Sequence, residues 1–186
     1  ESLNVQSNGK SIEVRDYQAN AFLHAMRNKR ALLLSPTASG KSLIIYLIIR
    51  QLLEYHCTKG LIIVPTTSLV EQLYTDFKDY SSANGWNVDD IVHKVYAGKD
   101  KVSDKKLIIT TWQSVHNLPK DYFADFDFVI GDEAHNFKAL SLTKIMTNLV
   151  NAKYRIGTTG TLDGTKTHKL VLEGLFGPAH KVVSTK

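Results

Sequence analysis

The feature that most constrains this chain is a series of short apolar runs with little or no polar alternation. Ala31–Ser35 reads ALLLS, Leu61–Val64 reads LIIV, Leu107–Thr110 reads LIIT and Phe126–Gly131 reads FDFVIG. A strand with one face in water alternates apolar and polar residues. A strand apolar at nearly every position is buried on both faces, as in a parallel sheet covered by helices. Weaker strands are expected at Ile91–Tyr96 and, last in the series, at Tyr154–Thr158. Between the runs lie helical patterns: Leu43–His56, the amphipathic Ser68–Tyr80, and Leu140–Val150. Strands and helices in alternation give an α/β, doubly wound fold. One segment is ambiguous by composition, because Leu43–Ile49 (LIIYLII) has the β-branched content of a strand. The segment before it decides for a helix.

That preceding segment is Ser35-Pro36-Thr37-Ala38-Ser39-Gly40-Lys41-Ser42. A loop that joins a strand to a helix in this way turns backbone N–H groups around a phosphate chain. The chain then lies at a helix N-terminus, where the dipole favours anions. Pro36, Thr37, Ala38, Ser39 and Gly40 form the candidate cradle, Lys41 supplies a point charge for the β- and γ-phosphates, and Ser42 is a candidate Mg²⁺ ligand. The usual pattern opens on Gly six positions before the lysine, where this chain has Ser35. Farther on, Asp132-Glu133-Ala134-His135 directly follows the strand ending at Gly131. Adjacent carboxylates at the carboxyl end of a strand sit at the edge where α/β sheets bind ligands. Asp132 suits Mg²⁺, which takes few carboxylates and keeps several waters, and Glu133 suits a general base acting on water. A ligand-free helix start and a solvated Asp-Glu turn would explain each motif singly. Together they favour a nucleotide-phosphate site.

Composition removes other classes. Hydrophobic residues make up 43% of the chain, enough for one packed domain and too many for a disordered one. The net charge of +5 is compatible with a polyanionic partner without requiring one. Lys94, Lys99, Lys101, Lys105 and Lys106 read better as a solvated basic loop than as a DNA contact. Cys57 has no disulfide partner, which fits a reducing, intracellular setting. The most apolar stretch ends at Arg50, short of the roughly 20 residues a membrane span needs. The polar N-terminus carries no signal peptide, and it opens on Glu1 rather than Met, as an excerpt would. The histidines lack zinc-ligand spacing.

Asp132-Glu133-Ala134-His135, with Ser35–Ser42 upstream, resembles the superfamily 2 helicases of the DEAH-containing type, over nearly the whole chain. The resemblance implies a RecA-like P-loop NTPase domain, a mostly parallel sheet with helices on both faces, over residues 13–186. Residues 1–12 are then a linker or edge segment from an upstream region, and a second lobe is expected outside this chain. It also implies ATP and Mg²⁺ as cofactors, with Glu133, Lys41 and Asp132 carrying hydrolysis. Arg15-Asp16-Tyr17-Gln18 is similar to the adenine-recognising segment, with Arg15 and Gln18 at the nucleotide; the Gln amide offers the base edge both a donor and an acceptor.

Pro65, Thr66 and Gln72 resemble a strand-end motif that touches the nucleic-acid backbone, where phosphate contacts position a strand without reading it. A Thr/Ser helix cap accounts for the same residues, and both can hold at once. Thr110 and Thr111, before Trp112 and Gln113, resemble a second backbone contact, with Trp112 either stacked on a base or buried in the core. Thr159-Gly160-Thr161 stands where the superfamily carries Ser-Ala-Thr or Thr-Ala-Thr, and its central Gly departs from that pattern. Thr159 and Thr161, with His135 sensing the γ-phosphate, are the implied coupling residues.

The implied partners are DNA, single-stranded and branched, RNA–DNA hybrids, and the C-terminal RecA-like lobe of the same protein, in recombination, repair and replication. Two other classes compete. A P-loop small-molecule phosphotransferase calls for lid arginines that Arg15, Arg27, Arg30, Arg50 and Arg155 are not placed to supply. An annealing module with a vestigial ATP site is at odds with intact Lys41, Ser42, Asp132 and Glu133.

Overall fold

The computed structural model describes residues 4–35, 40–160 and 166–182. In chain order, β1 (Val5–Ser7) and β2 (Lys10–Ile12) precede α1 (Asp16–Asn28), β3 (Arg30–Leu34), α2 (Lys41–Tyr55), β4 (Gly60–Val64) and α3 (Thr67–Tyr80). Next come α4 (Val88–Ile91), β5 (Val92–Val95), β6 (Leu107–Thr111), α5 (Trp112–Val115), α6 (Lys120–Phe123) and β7 (Phe128–Gly131). A 3₁₀ turn (Ala134–Asn136), α7 (Ala139–Asn148), β8 (Tyr154–Thr159), α8 (Lys166–Phe176) and β9 (Ala179–Lys181) complete the described order.

Among the described residues one sheet holds seven strands in the order β5-β6-β4-β7-β8-β3-β9, every neighbouring pair parallel. Successive side chains of a strand point to opposite faces, and here both faces are covered. Ile62 and Val64 of β4 join the cluster under α1, α2 and α3. Leu61 and Ile63 join the cluster under α5, α7 and α8. This is the physical reason the strands read as unbroken apolar runs.

The ambiguous Leu43–Ile49 is helix. Leu43, Ile44, Ile45, Tyr46, Ile48, Ile49 and Leu52 of α2 are all buried, and burying each large aliphatic or aromatic side chain contributes roughly 1.5–3 kcal/mol. That tertiary gain outweighs the few tenths of a kcal/mol per residue by which β-branched side chains disfavour a helix.

The polar opening segment, expected to be a linker or edge, holds the β1–β2 hairpin, and Val5 is 1% exposed in the core. The fold departs from the sequence expectations at one end of the sheet. Tyr154–Thr159 is not the last strand: β9 adds to the far side of β3, bracketed by bonds from Leu32 N to Pro178 O and from Val182 N to Leu34 O. Its sequence, Ala-His-Lys, has no apolar run to betray it. His180 of β9 stacks on His24 of α1 with ring centroids 3.9 Å apart. Cys57 is free, and burial pushes its thiol up to about 12. No helix among the described residues is long and apolar enough to cross a membrane.

Gly60 is paired in register with Phe128 across β4 and β7. A methyl group there would stand 1.9 Å from Phe128 Cζ, and the ring is fully buried with nowhere to go. Gly60→Ala is expected to destabilise the fold by about 1–3 kcal/mol, the usual cost of overpacking, read as a lower urea midpoint at unchanged slope.

Candidate nucleotide site and nucleic-acid edge

β7, β8 and β3 are neighbours in the sheet, and the segments that leave their carboxyl ends build the site. After β3 the chain enters α2 through Gly40, whose φ is 96°. A side chain there would meet the Gln18 amide nitrogen at 2.6 Å and the Tyr17 hydroxyl at 3.0 Å. The backbone conformation and the close approach both require glycine. Gln18 is buried, accepts from Arg15 N at 2.9 Å and donates to Gly40 O at 3.3 Å. Its amide retains one lone pair and one N–H for a further partner, and it ties the start of α1 to the loop.

Lys41 opens α2 with its ammonium 3.1 Å from Asp132 Oδ1 and paired with Glu133 Oε1. Asp132 is 2% exposed. Its Oδ1 also accepts from the Thr158 hydroxyl at 2.5 Å and from Glu133 N at 3.0 Å. Three donors on one oxygen fix the carboxylate's orientation. Glu133 has φ of 53°, left-handed backbone that a non-glycine residue adopts at a cost of about 1–3 kcal/mol. Its carboxylate lies between Lys41 and His135, with Oε2 3.6 Å from His135 Nε2. His135 Nδ1 in turn meets the Thr159 hydroxyl. Lys41, the segment carrying Asp132, Glu133 and His135, and Thr159, three separate stretches of sequence, thus form one connected set. Thr158 belongs to it too. Sequence reasoning missed this residue, although it directly precedes the Thr159-Gly160-Thr161 motif.

Ser42 is placed differently. Its hydroxyl lies 2.7 Å from Tyr80 Oη on α3. Burial raises the Asp76 carboxyl above the usual carboxylate range, opposed by the hydrogen bond from Gln72. Burial likewise raises the Tyr80 phenol. Pro36, Thr37, Ala38, Ser39 and Thr161 lie outside the described residues.

The ends of β4 and β6 occupy the other part of the same sheet edge. Thr66 is exposed and caps α3, accepting from Leu69 N at 3.2 Å. Pro65 is buried, and its carbonyl accepts from Gln113 at 3.2 Å. Thr111 pairs its hydroxyl with Ser114 at 2.7 Å. Two of the expected contacts are placed elsewhere. Thr110 is fully buried, its hydroxyl bonded to Thr111 O at 2.9 Å, so it stands inside the sheet. Gln72 is exposed but donates to Asp76 at 2.9 Å, on the stripe of α3 that faces Ser42. Trp112 is a core residue, set edge-on against His116.

A family model described as the type III restriction enzyme, res subunit, matches residues 11–164. The chain belongs to this helicase family. It is the N-terminal motor lobe of a superfamily 2 helicase, 35% identical over 187 residues to the ATP-dependent DNA helicase uvsW of Enterobacteria phage T4, covering 98% of this chain and 36% of that protein. The DNA 3'-5' translocase XPB2 of Sulfurisphaera tokodaii is 28% identical over 81% of this chain and 31% of its own length. The lobe therefore spans about a third of the length of each of these two relatives. The crystal structure of the UvsW helicase from bacteriophage T4 superposes with a TM-score of 0.87 at 34% identity, covering 97% of this chain and 64% of that one. A Sulfolobus solfataricus SWI2/SNF2 ATPase core, solved in complex with dsDNA, matches at a TM-score of 0.71 and 22% identity, which shows the shared fold alone.

In this lobe the Lys41 charge faces two carboxylates. Lys41→Ala is expected to remove a charge-assisted bond worth about 1.5–3 kcal/mol, on the order of a tenfold to hundredfold loss of affinity for a fluorescent ATP analogue. Wild-type affinity in the variant would exclude Lys41 from the phosphates.

Proposed function

We propose that this lobe is the ATP-binding half of a DNA helicase or translocase, with branched DNA and RNA–DNA hybrids as substrates in recombination, repair and replication. The observation that carries the reading is the continuous set from Lys41 through Asp132, Glu133 and His135 to Thr159, sharing one sheet edge with the exposed Thr66 and with Thr111. Hydrolysis and strand contact thus draw on the ends of adjacent strands of one rigid sheet.

The residues present fit Mg²⁺. The Lys41 ammonium marks a place where two carboxylates call for a cation. Among the described residues no cluster of three or more His, Cys, Asp or Glu side chains forms a cage, and Mg²⁺ characteristically takes one or two carboxylates with water and nucleotide phosphates. Asp132 would hold it, with the Ser42 hydroxyl as a second ligand. When bound, the ion neutralises charge developing on the phosphates. Lys41 moves its ammonium from the carboxylates to the β- and γ-phosphates. Glu133, released from Lys41, orients the attacking water and accepts its proton. His135, held by Thr159, reads whether Glu133 is so engaged and relays that state to β8. Gln18 presents its remaining donor and acceptor to adenine.

Movement on DNA takes a second RecA-like lobe that opens and closes against this one. Arg30, Arg50 and Arg155 are committed to other elements: Arg30 to carbonyls of α8, Arg50 to Asn84, and Arg155 to carbonyls around the end of α7. The γ-phosphate arginines are assigned, as part of this proposal, to the second lobe.

Two measurements test this. Glu133→Gln in the full-length protein is expected to keep ATP bound and to lower DNA-stimulated turnover by about 10²–10⁴-fold; a drop smaller than roughly tenfold rejects Glu133 as the base. Separately, the 186-residue lobe is expected to hydrolyse ATP about 10³–10⁵-fold more slowly than the full-length protein, the usual value of a catalytic arginine, and to displace no strand. Comparable turnover in both means the site is complete in one lobe and the half-motor reading is wrong.

A further inference from the structure

β7 and β8 run parallel, and the last registered pair of their ladder is Gly131 with Gly157. The next residues along the chain, Asp132 and Thr158, meet through their side chains: the Thr158 hydroxyl donates to Asp132 Oδ1 at 2.5 Å. Thr158 is 1% exposed and stands in register with Leu33 on β3. An apolar side chain is the ordinary occupant of so enclosed a strand position, and a hydroxyl placed there has to find a partner. It finds the carboxylate. Two further donors share that oxygen, the Lys41 ammonium at 3.1 Å and Glu133 N at 3.0 Å. Among the described residues no donor is set on Oδ2.

We propose that Thr158 is a positioning residue for Asp132, holding Oδ1 while nucleotide binds so that Oδ2 is left for Mg²⁺ and its water shell. This rests on Asp132 as the residue that holds the metal. Of the three donors on Oδ1, Lys41 is the one that moves to the phosphates, and Glu133 N belongs to the adjoining residue of the same segment. Thr158 alone ties the carboxylate to another strand. That strand, β8, is paired on both sides, with β7 and with β3, so its grip on Oδ1 outlasts the departure of Lys41. Hydrogen-bond partners that orient a metal ligand from behind typically cost 10–100-fold in metal affinity when removed. Thr158→Val deletes the hydroxyl and keeps a β-branched side chain suited to a strand, with two donors still on Oδ1.

The test is Mg²⁺ titration of fluorescent ATP-analogue binding to the full-length protein, with a parallel titration in EDTA and thermal melts of each variant. Thr158→Val is expected to raise the half-saturating Mg²⁺ concentration by roughly 10–100-fold with the affinity in EDTA unchanged. Thr158→Ser and Thr158→Ala differ only in the hydroxyl and repeat the comparison in a smaller side chain. Ala is expected to show the same rise and Ser to recover most of it; equal Mg²⁺ requirements in the two overturn the proposal, even where Thr158→Val fails to fold. Asp132→Asn separates the positioning role from the metal reading beneath it, since it keeps an oxygen for Thr158 and removes the negative charge. If it leaves the Mg²⁺ requirement unchanged, Asp132 does not hold the metal, and that reading falls together with this proposal. If Asp132→Asn raises the requirement and the Thr158 variants do not, the metal reading stands and the positioning role is overturned. An equal loss of affinity with and without Mg²⁺ in Thr158→Val also overturns it, since that is the signature of a merely structural residue.

Discussion

Burial of the central sheet on both faces governs everything else in this lobe. Side chains along β4, β6 and β7 have no route to water, so polar chemistry can emerge only where strands end and the chain turns. The edge is therefore crowded with polar and charged residues. Lys41, Asp132 and the pair Thr158–Thr159 all sit within a residue or a short loop of a strand's carboxyl end. The apolar interior is what gives these polar side chains fixed positions, because the strands beneath them cannot shift without opening the core.

Within that edge Lys41 is paired with two carboxylates, Asp132 and Glu133. Two carboxylates, one of them almost fully enclosed, would repel each other strongly without a counter-charge. Lys41, at the start of α2, supplies one positive charge and so offsets one of the two negative charges. Glu133 is held in a left-handed conformation against the ordinary preference of its backbone, which ties its carboxylate to this position rather than to solvent.

The sequence made the interior and the ligand edge legible for the same reason: burial on both faces writes unbroken apolar runs, and the chemistry must sit at their ends. The loop before α2 identified that helix correctly, where its β-branched composition pointed to a strand. Nothing in the sequence could show β9, whose three residues sit at the sheet's far edge and carry no apolar pattern. Nor could it show that Thr110 is fully buried and Thr111, at the strand's end, is buried nearly as deeply, because a pair of like residues does not reveal how far the helices cover the strand. Gln72 is ambiguous for a different reason. Its motif neighbours lie at the cap of α3, but helical spacing carries it around to the stripe shared with Asp76, and only the packing of α2 shows where that stripe faces.

Thr158 and Thr159 are consecutive residues of one strand whose side chains leave in opposite directions. One holds the Asp132 carboxylate and the other holds His135. A rotation of the β8 terminus about its own axis therefore cannot relax one grip without altering the other. The carboxylate proposed to carry the metal and the imidazole proposed to read the phosphate are geared to a single peptide unit, and any lobe movement that torques that strand end acts on both in the same stroke.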